Sequence, residues 1–199
     1  MTKFIFDLDG TITKEETLPL ISQKFQIQDK INELTLNTVK GNVPFIESFI
    51  KRVHLLGLLP IDEISKLLET VSLYDQVVNF INLNSDKCII ATGNLECWVD
   101  GLLKKIGCDY DCSYAEVHNN KVVKLKKILK KEELVKYYKN LGYKIVFIGD
   151  GNNDVEAMRM SDISIASGLT HYPANSVLSV ADYLVFSEEA LCRQLNQLL

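Results

Sequence analysis

Three short apolar runs in this sequence each stop at a carboxylate or a hydroxyl, and that repetition restricts the fold more than any other feature. "KFIF" (3–6) runs into Asp7 and Asp9, "KCIIAT" (87–92) ends on Thr92, and "KIVFIG" (144–149) runs into Asp150. Phe, Ile and Val suit buried strands, whereas Asp is a poor strand former and costly to bury unpaired. Two further runs, "DISIA" (162–166) and "DYLVF" (182–186), are as short and as apolar. Between the later runs lie helical spacings. Leu95, Val99, Leu102, Leu103 and Ile106 share one face; Leu134, Val135, Tyr138 and Leu141 share another, with Gly142 placed as a C-cap. Short buried strands alternating with helices predict an α/β fold, a doubly wound, mostly parallel sheet covered on both faces.

Residues 14–72 break the rhythm. They carry no convincing strand but several helical spacings: Leu18/Ile21/Phe25, Ile31/Leu34, Phe45/Phe49/Val53/Leu56 and, after the punctuating Pro60, Ile64/Leu67/Leu68/Val71. A crossover between parallel strands needs only about a dozen residues. The excess reads as a helical insert leaving the carboxyl end of the first strand, where it lies over the ligand crevice of an open α/β sheet. The expected organisation is a core of residues 1–13 and 73–199 with a helical cap of residues 14–72.

The length, 199 residues, is enough for one real core without staples. A net charge of −4 argues against a nucleic-acid footprint, which would be basic. No apolar run approaches the ~18 residues of a membrane-spanning helix. The charged "DLDGTITKEE" follows the first apolar residues at once, so no signal peptide is expected. Cys108 and Cys112 have a C-x3-C spacing but no second pair to complete a zinc site, so the five cysteines read as free thiols in a reducing cytoplasm.

In a parallel sheet the carboxyl ends of the strands share one edge. Asp7, Asp9, Thr92, Asp150 and Asp154 therefore converge. "DLDGT" alone is good turn chemistry; the convergence of three such strand ends is not explained by turns. Carboxylates gathered so closely repel unless a cation joins them, and an all-oxygen donor set without a His or Cys cluster suits Mg2+.

"DLDGT", "ATGN", a lysine before the helix at 132–141 and "GDGNND" match, in order, the four motifs of the haloacid dehalogenase (HAD) superfamily of phosphatases, which the sequence resembles over most of its length. The resemblance implies that Asp7 is a nucleophile forming an aspartyl-phosphate, and that Asp9 protonates the leaving alcohol and then activates water. It implies that Mg2+ is held by Asp7, the Asp9 backbone carbonyl and Asp150, with Asp154 in support. Thr92, Gly93 and a lysine would grip the phosphoryl oxygens, Gly10 and Thr11 would shape the loop beside them, and Asn153 would position the substrate. The segment 124–136 offers six lysines. Lys131 shares the inward face of Leu134, three residues on, and is preferred; Lys127, two turns before Leu134, is nearly as well aimed.

Within the insert the sequence resembles the phosphoserine phosphatases. Glu16 lies nine residues after Asp7, where that family has a glutamate for the substrate ammonium, and "FIESFIKRVHLLGLLP" (45–60) places Phe45 and Arg52 on its Phe and Arg positions. A carboxylate for the amine and an Arg fork for the carboxylate make chemical sense. Two departures stand near the substrate. Thr92-Gly93-Asn94 replaces the usual Ser-Gly-Gly, and the segment 113–130, with a turn at "HNNK" (118–121), is shorter than the family's hairpin. The expected protein is a Mg2+-dependent phosphomonoesterase for a small metabolite, phosphoserine first, acting as monomer or homodimer without nucleic acid or membrane. A sugar or methionine-salvage phosphate, transfer to another alcohol, and a non-enzymatic phospho-acceptor domain are the alternatives. His54, His118 and His171 are scattered and are not expected to be catalytic.

Overall fold

The computed structural model describes residues 1–39 and 45–199, and their side chains except those of residues 35–39 and 45. Its strands are β1 (Thr2–Phe6), β2 (Cys88–Leu95), β3 (Asp109–His118), β4 (Lys121–Lys127), β5 (Lys144–Gly149), β6 (Ile163–Ser167) and β7 (Tyr183–Val185). They form one sheet in the order β4-β3-β2-β1-β5-β6-β7, parallel except for the β3–β4 hairpin. β1 is central because both of its faces are apolar. Phe4 and Phe6 face Phe80 on one side, the Phe4 and Phe80 rings meeting edge to face at 5.4 Å, while Ile5 enters the cluster on the opposite side with Val135 and Phe147.

Between β1 and β2 lie α1 (Thr17–Lys24), α2 (Gln28–Val39), α3 (Phe45–Leu56), α4 (Ile61–Leu68) and α5 (Asp75–Leu83). The first four match the helical spacings of the insert, and Pro60 stands at the N-cap of α4. α5 was not anticipated, although Val77, Phe80 and Ile81 bury one face at helical spacing. The chain leaves and returns through a narrow neck. Thr13 bridges Leu73, the Lys14 N–H donates to Ser72 O (2.8 Å) and the Tyr74 N–H to Ile12 O (3.0 Å).

The remaining helices are α6 (Glu96–Ile106), α7 (Lys131–Asn140), α8 (Val155–Met160), α9 (Asn175–Leu178) and α10 (Glu188–Gln197). α6 buries the apolar face read from the sequence, ends on Gly107 in the left-handed region and packs against α4. Gly142 has φ +85°, in keeping with a cap, but Leu141 lies past the end of α7 and is exposed. β3 and β4 flank the turn expected at 118–121, without an apolar run of the kind that marks the other strands. The outer half of β3 pairs only with β4, and most of this ribbon is exposed, with Ala115, Val122 and Leu125 only partly buried against the core, so its apolar signature is weak. The turn at 118–121 is a two-residue connection with Asn119 and Asn120 at φ +48° and +63°. Its tip reaches the insert: Ile61 N–H donates to Asn120 O (3.0 Å), Asp62 N–H to Asn120 Oδ1 (3.0 Å), and Val122 N–H to Gly57 O (3.1 Å). All five cysteines are free, and no helix among the described residues is long and apolar enough to cross a membrane.

Candidate active site

The loop after β1 continues its ladder for one residue, Asp7 N–H donating to Ile148 O (2.8 Å), and then folds over Leu8 O, which accepts from Ile12 and Thr13. That pins Asp7 at the sheet edge, 5 % exposed, with its own Oδ1 accepting from Leu8 N–H (2.8 Å). Gly10 is required where it stands. Its φ is +69°, and a Cβ there would lie 3.0 Å from Glu16 Oε1 and from His171 Nε2 and 3.1 Å from Asp150 Oδ2. Thr11 is fully buried and donates to Asp150 Oδ1 (2.9 Å), so its hydroxyl positions a carboxylate.

From β5 come Asp150 and, through a short 3₁₀ turn (Asn152–Asp154), Asp154. Asp154 Oδ2 accepts from the N–H groups of Asp150 (3.1 Å) and Gly151 (2.9 Å). Lys131, the first residue of α7, is 3 % exposed and sets its Nζ 2.6 Å from both Asp7 Oδ1 and Asp154 Oδ1. Lys127 turns instead to Asp111 (3.1 Å) at the surface, so the lysine reaching the cluster is Lys131. Thr92 is buried within β2, the last residue before its pairing with β3 shifts register, and its Oγ1 accepts from Asn94 N–H (3.2 Å). A Cβ on Gly93 would meet open space.

Asp7, Asp9 and Asp150 open on a cavity of about 270 Å³, whose rim also includes Glu16, Arg52, Gly93, Asn94 and Asn153. Phe45 opens α3, but its side chain lies outside the described residues. Burial keeps the Arg52 pKa below its ordinary value. Asp9 is held by two donors, Thr17 N–H on Oδ1 (2.9 Å) and Asn94 Nδ2 on Oδ2 (2.6 Å).

His171 also lines the cavity, although its sequence context gave no sign of it. Its Nε2 is 2.7 Å from Glu16 Oε1 and 3.2 Å from Asp150 Oδ2. The available signal was positional: it follows β6, whose carboxyl end lies on the same sheet edge. Hydrogen bonds to Asp150 and then Glu16 lift its pKa to about 11.

The electrostatics are those of crowded anions. Burial, then Asp154, raise the Asp7 carboxyl well above its usual value although Lys131 opposes them, and burial first raises Asp150 as well. For Lys131, burial disfavours the charge, but Asp154 and Asp7 outweigh it and hold the ammonium protonated. Oxygens of Asp7, Asp150 and Asp154 lie within 4.8 Å of one another, a donor set that fits a hard divalent cation.

Burial, then Glu16, lift Asp9 from 3.8 to about 6. A raised carboxyl holds its proton more tightly in the folded chain. Its contribution to stability is complete below the unfolded value and is lost as pH rises through the folded one. In metal-free protein, the thermal midpoint of wild type relative to Asp9→Asn is therefore expected to fall between about pH 4 and pH 7. A flat difference over that interval would contradict the raised value.

A family model for haloacid dehalogenase-like hydrolases matches residues 2–162. A phosphoserine phosphatase of Methanocaldococcus jannaschii is 26 % identical over 180 residues, spanning 81 % of this chain and 83 % of that protein. A phosphoserine phosphatase of Lactococcus lactis subsp. lactis is 25 % identical over 175 residues, spanning 81 % of each. A solved structure described as a phospho-aspartyl intermediate analogue of phosphoserine phosphatase matches the fold with a TM-score of 0.76, at 20 % identity and over 100 % of both chains.

Proposed function

The chain belongs to the haloacid dehalogenase-like hydrolase family, and from that premise we propose that it hydrolyses small phosphomonoesters through a phosphoryl group carried on Asp7, with phosphoserine as the leading substrate. The observation that carries this is the pairing of Asp7 and Asp9 in one rigid loop, facing one cavity, with Glu16 and Arg52 on its rim.

Asp7 attacks phosphorus, and the ester oxygen leaves with a proton from Asp9. Asp9, now ionised, takes a proton from water as that water attacks the aspartyl-phosphate, which returns Asp7 as a carboxylate and releases phosphate. Lys131 balances charge on Asp7 and, with Thr92 and the backbone at Gly93, receives the phosphoryl oxygens. Mg2+, held by Asp7, Asp150 and the Asp9 carbonyl with Asp154 in support, would neutralise the approach of carboxylate to phosphate. Residues 14–72 act as the cap that keeps bulk water from the intermediate. Arg52 pairs with the substrate carboxylate and Glu16 with its ammonium. Leu18, Phe49, Val53, Leu56 and Trp98 also line the cavity, and this apolar wall favours a second reading, an ester with a hydrocarbon chain.

A panel of phosphate esters decides between them. Phosphoserine is expected to lead, and Arg52→Ala is expected to lower kcat/KM for phosphoserine about 10- to 100-fold, the worth of a charge-assisted pair, while sparing p-nitrophenyl phosphate. Equal losses on both esters would remove the carboxylate-binding role.

A further inference from the structure

We infer that Asn94 is a positioning residue that aims the Asp9 carboxyl, an inference that rests on the proton-transfer reading of Asp9 given above. The amide is placed by a backbone irregularity. β2 pairs regularly with β3 up to Thr92 and resumes only at Leu95, so Gly93 and Asn94 are looped out of register. Such a bulge re-aims side chains beside active sites. Here it turns Asn94, 7 % exposed, toward the loop after β1.

Both amide hydrogens are then engaged. Nδ2 lies 2.6 Å from Asp9 Oδ2 and 3.2 Å from Thr17 Oγ1. The orientation follows from chemistry, since a carboxylate oxygen accepts and only the NH2 end of the amide donates. Asp9 Oδ1 is taken by the backbone N–H of Thr17, the first residue of α1. Each oxygen of the carboxyl therefore has its own donor, one from a core strand and one from the helical insert. That fixes the torsion of the Asp9 side chain and so the point to which its proton is delivered. With two donors on Asp9 and Thr17, Asn94 has no N–H left for the substrate.

This separates Asn94 from a substrate-binding amide by measurement. Asn94→Asp keeps the shape and replaces the donor with a repelling carboxylate; Asn94→Gly removes the side chain without adding charge. Both are expected to lower kcat for an alkyl phosphate about 10- to 100-fold, as misdirected catalytic groups do, with KM changed less than about threefold. The first-turnover burst with p-nitrophenyl phosphate should be nearly unchanged, because nitrophenolate departs without a proton. A raised KM with unchanged kcat in Asn94→Gly, or equal loss of the burst and of alkyl-phosphate turnover, would overturn the inference. Asp9→Asn run in parallel distinguishes the levels. If it retains alkyl-phosphate turnover, the reading of Asp9 is wrong; if it is inactive while Asn94→Gly is normal, only the role of Asn94 fails.

Discussion

Asp7→Asn is expected to reduce phosphate-ester turnover by about 10⁴-fold or more, because a carboxamide cannot form the covalent intermediate. The same variant should fold normally. Asp7 is buried against three like charges, Asp154, Asp150 and Asp9, and its pKa is raised by burial and then by Asp154. Removing its charge relieves that repulsion, while Lys131 keeps its 2.6 Å contact with Asp154. In metal-free protein the thermal midpoint of the variant should equal or exceed that of wild type. An active Asp7→Asn enzyme would exclude Asp7 as the nucleophile. A variant that is inactive only because it unfolds would show a lowered midpoint, which this charge arrangement does not predict.

Metal removal should have an effect of comparable size. Chelation with EDTA is expected to silence the enzyme and Mg2+ to restore it, and a second readout needs no substrate. A ligand that binds only the folded chain stabilises it by about 2.7 kcal/mol at a hundred times its dissociation constant. Mg2+ should therefore raise the thermal midpoint of stripped protein, and Asp150→Asn should lose that increment together with activity. The effect on stability should also grow with pH, since Asp7, Asp9 and Asp150 all have raised values and are progressively ionised against one another as pH rises. Full activity in EDTA would exclude the metal requirement.

Much of this site could be read from residue order. Strands β1 and β5 run straight into Asp7 and Asp150, and Thr92 closes the regular pairing of β2, so parallel pairing carries all three to one edge. Lys131 followed from helical spacing with Leu134. What escaped the sequence has three physical causes. The β3–β4 ribbon is mostly exposed, with only a few side chains such as Ala115, Val122 and Leu125 partly buried, so no clear apolar alternation marks it. α5 is a short helix beside a boundary between two patterns. His171 and the true partner of Asn94 depend on long-range geometry: His171 meets Glu16 across 155 positions, and Asn94 meets Asp9 across 85. No local pattern encodes such pairs, and the bulge that aims Asn94 lies past Thr92, where the apolar run stops, so the run gives no sign of it.

Residues 14–72 are tied to the rest of the chain at several places: the neck at Thr13–Leu73, the hairpin tip at Asn120, and the packing of α4 on α6, where Lys105 Nζ also donates to Glu69 O (2.6 Å). A flap hung from one hinge can swing in any direction; a segment held at several places can move only by releasing some of them. An opening that parts the hairpin tip from residues 57–62 must break the three bonds made by the Ile61, Asp62 and Val122 amides. At about 1 kcal/mol each, those bonds reduce the population of such openings by about a hundredfold. An opening over the cavity that parts the hairpin from residues 57–62 carries that cost, and the hydrogen-exchange rates of those three amides are its gauge.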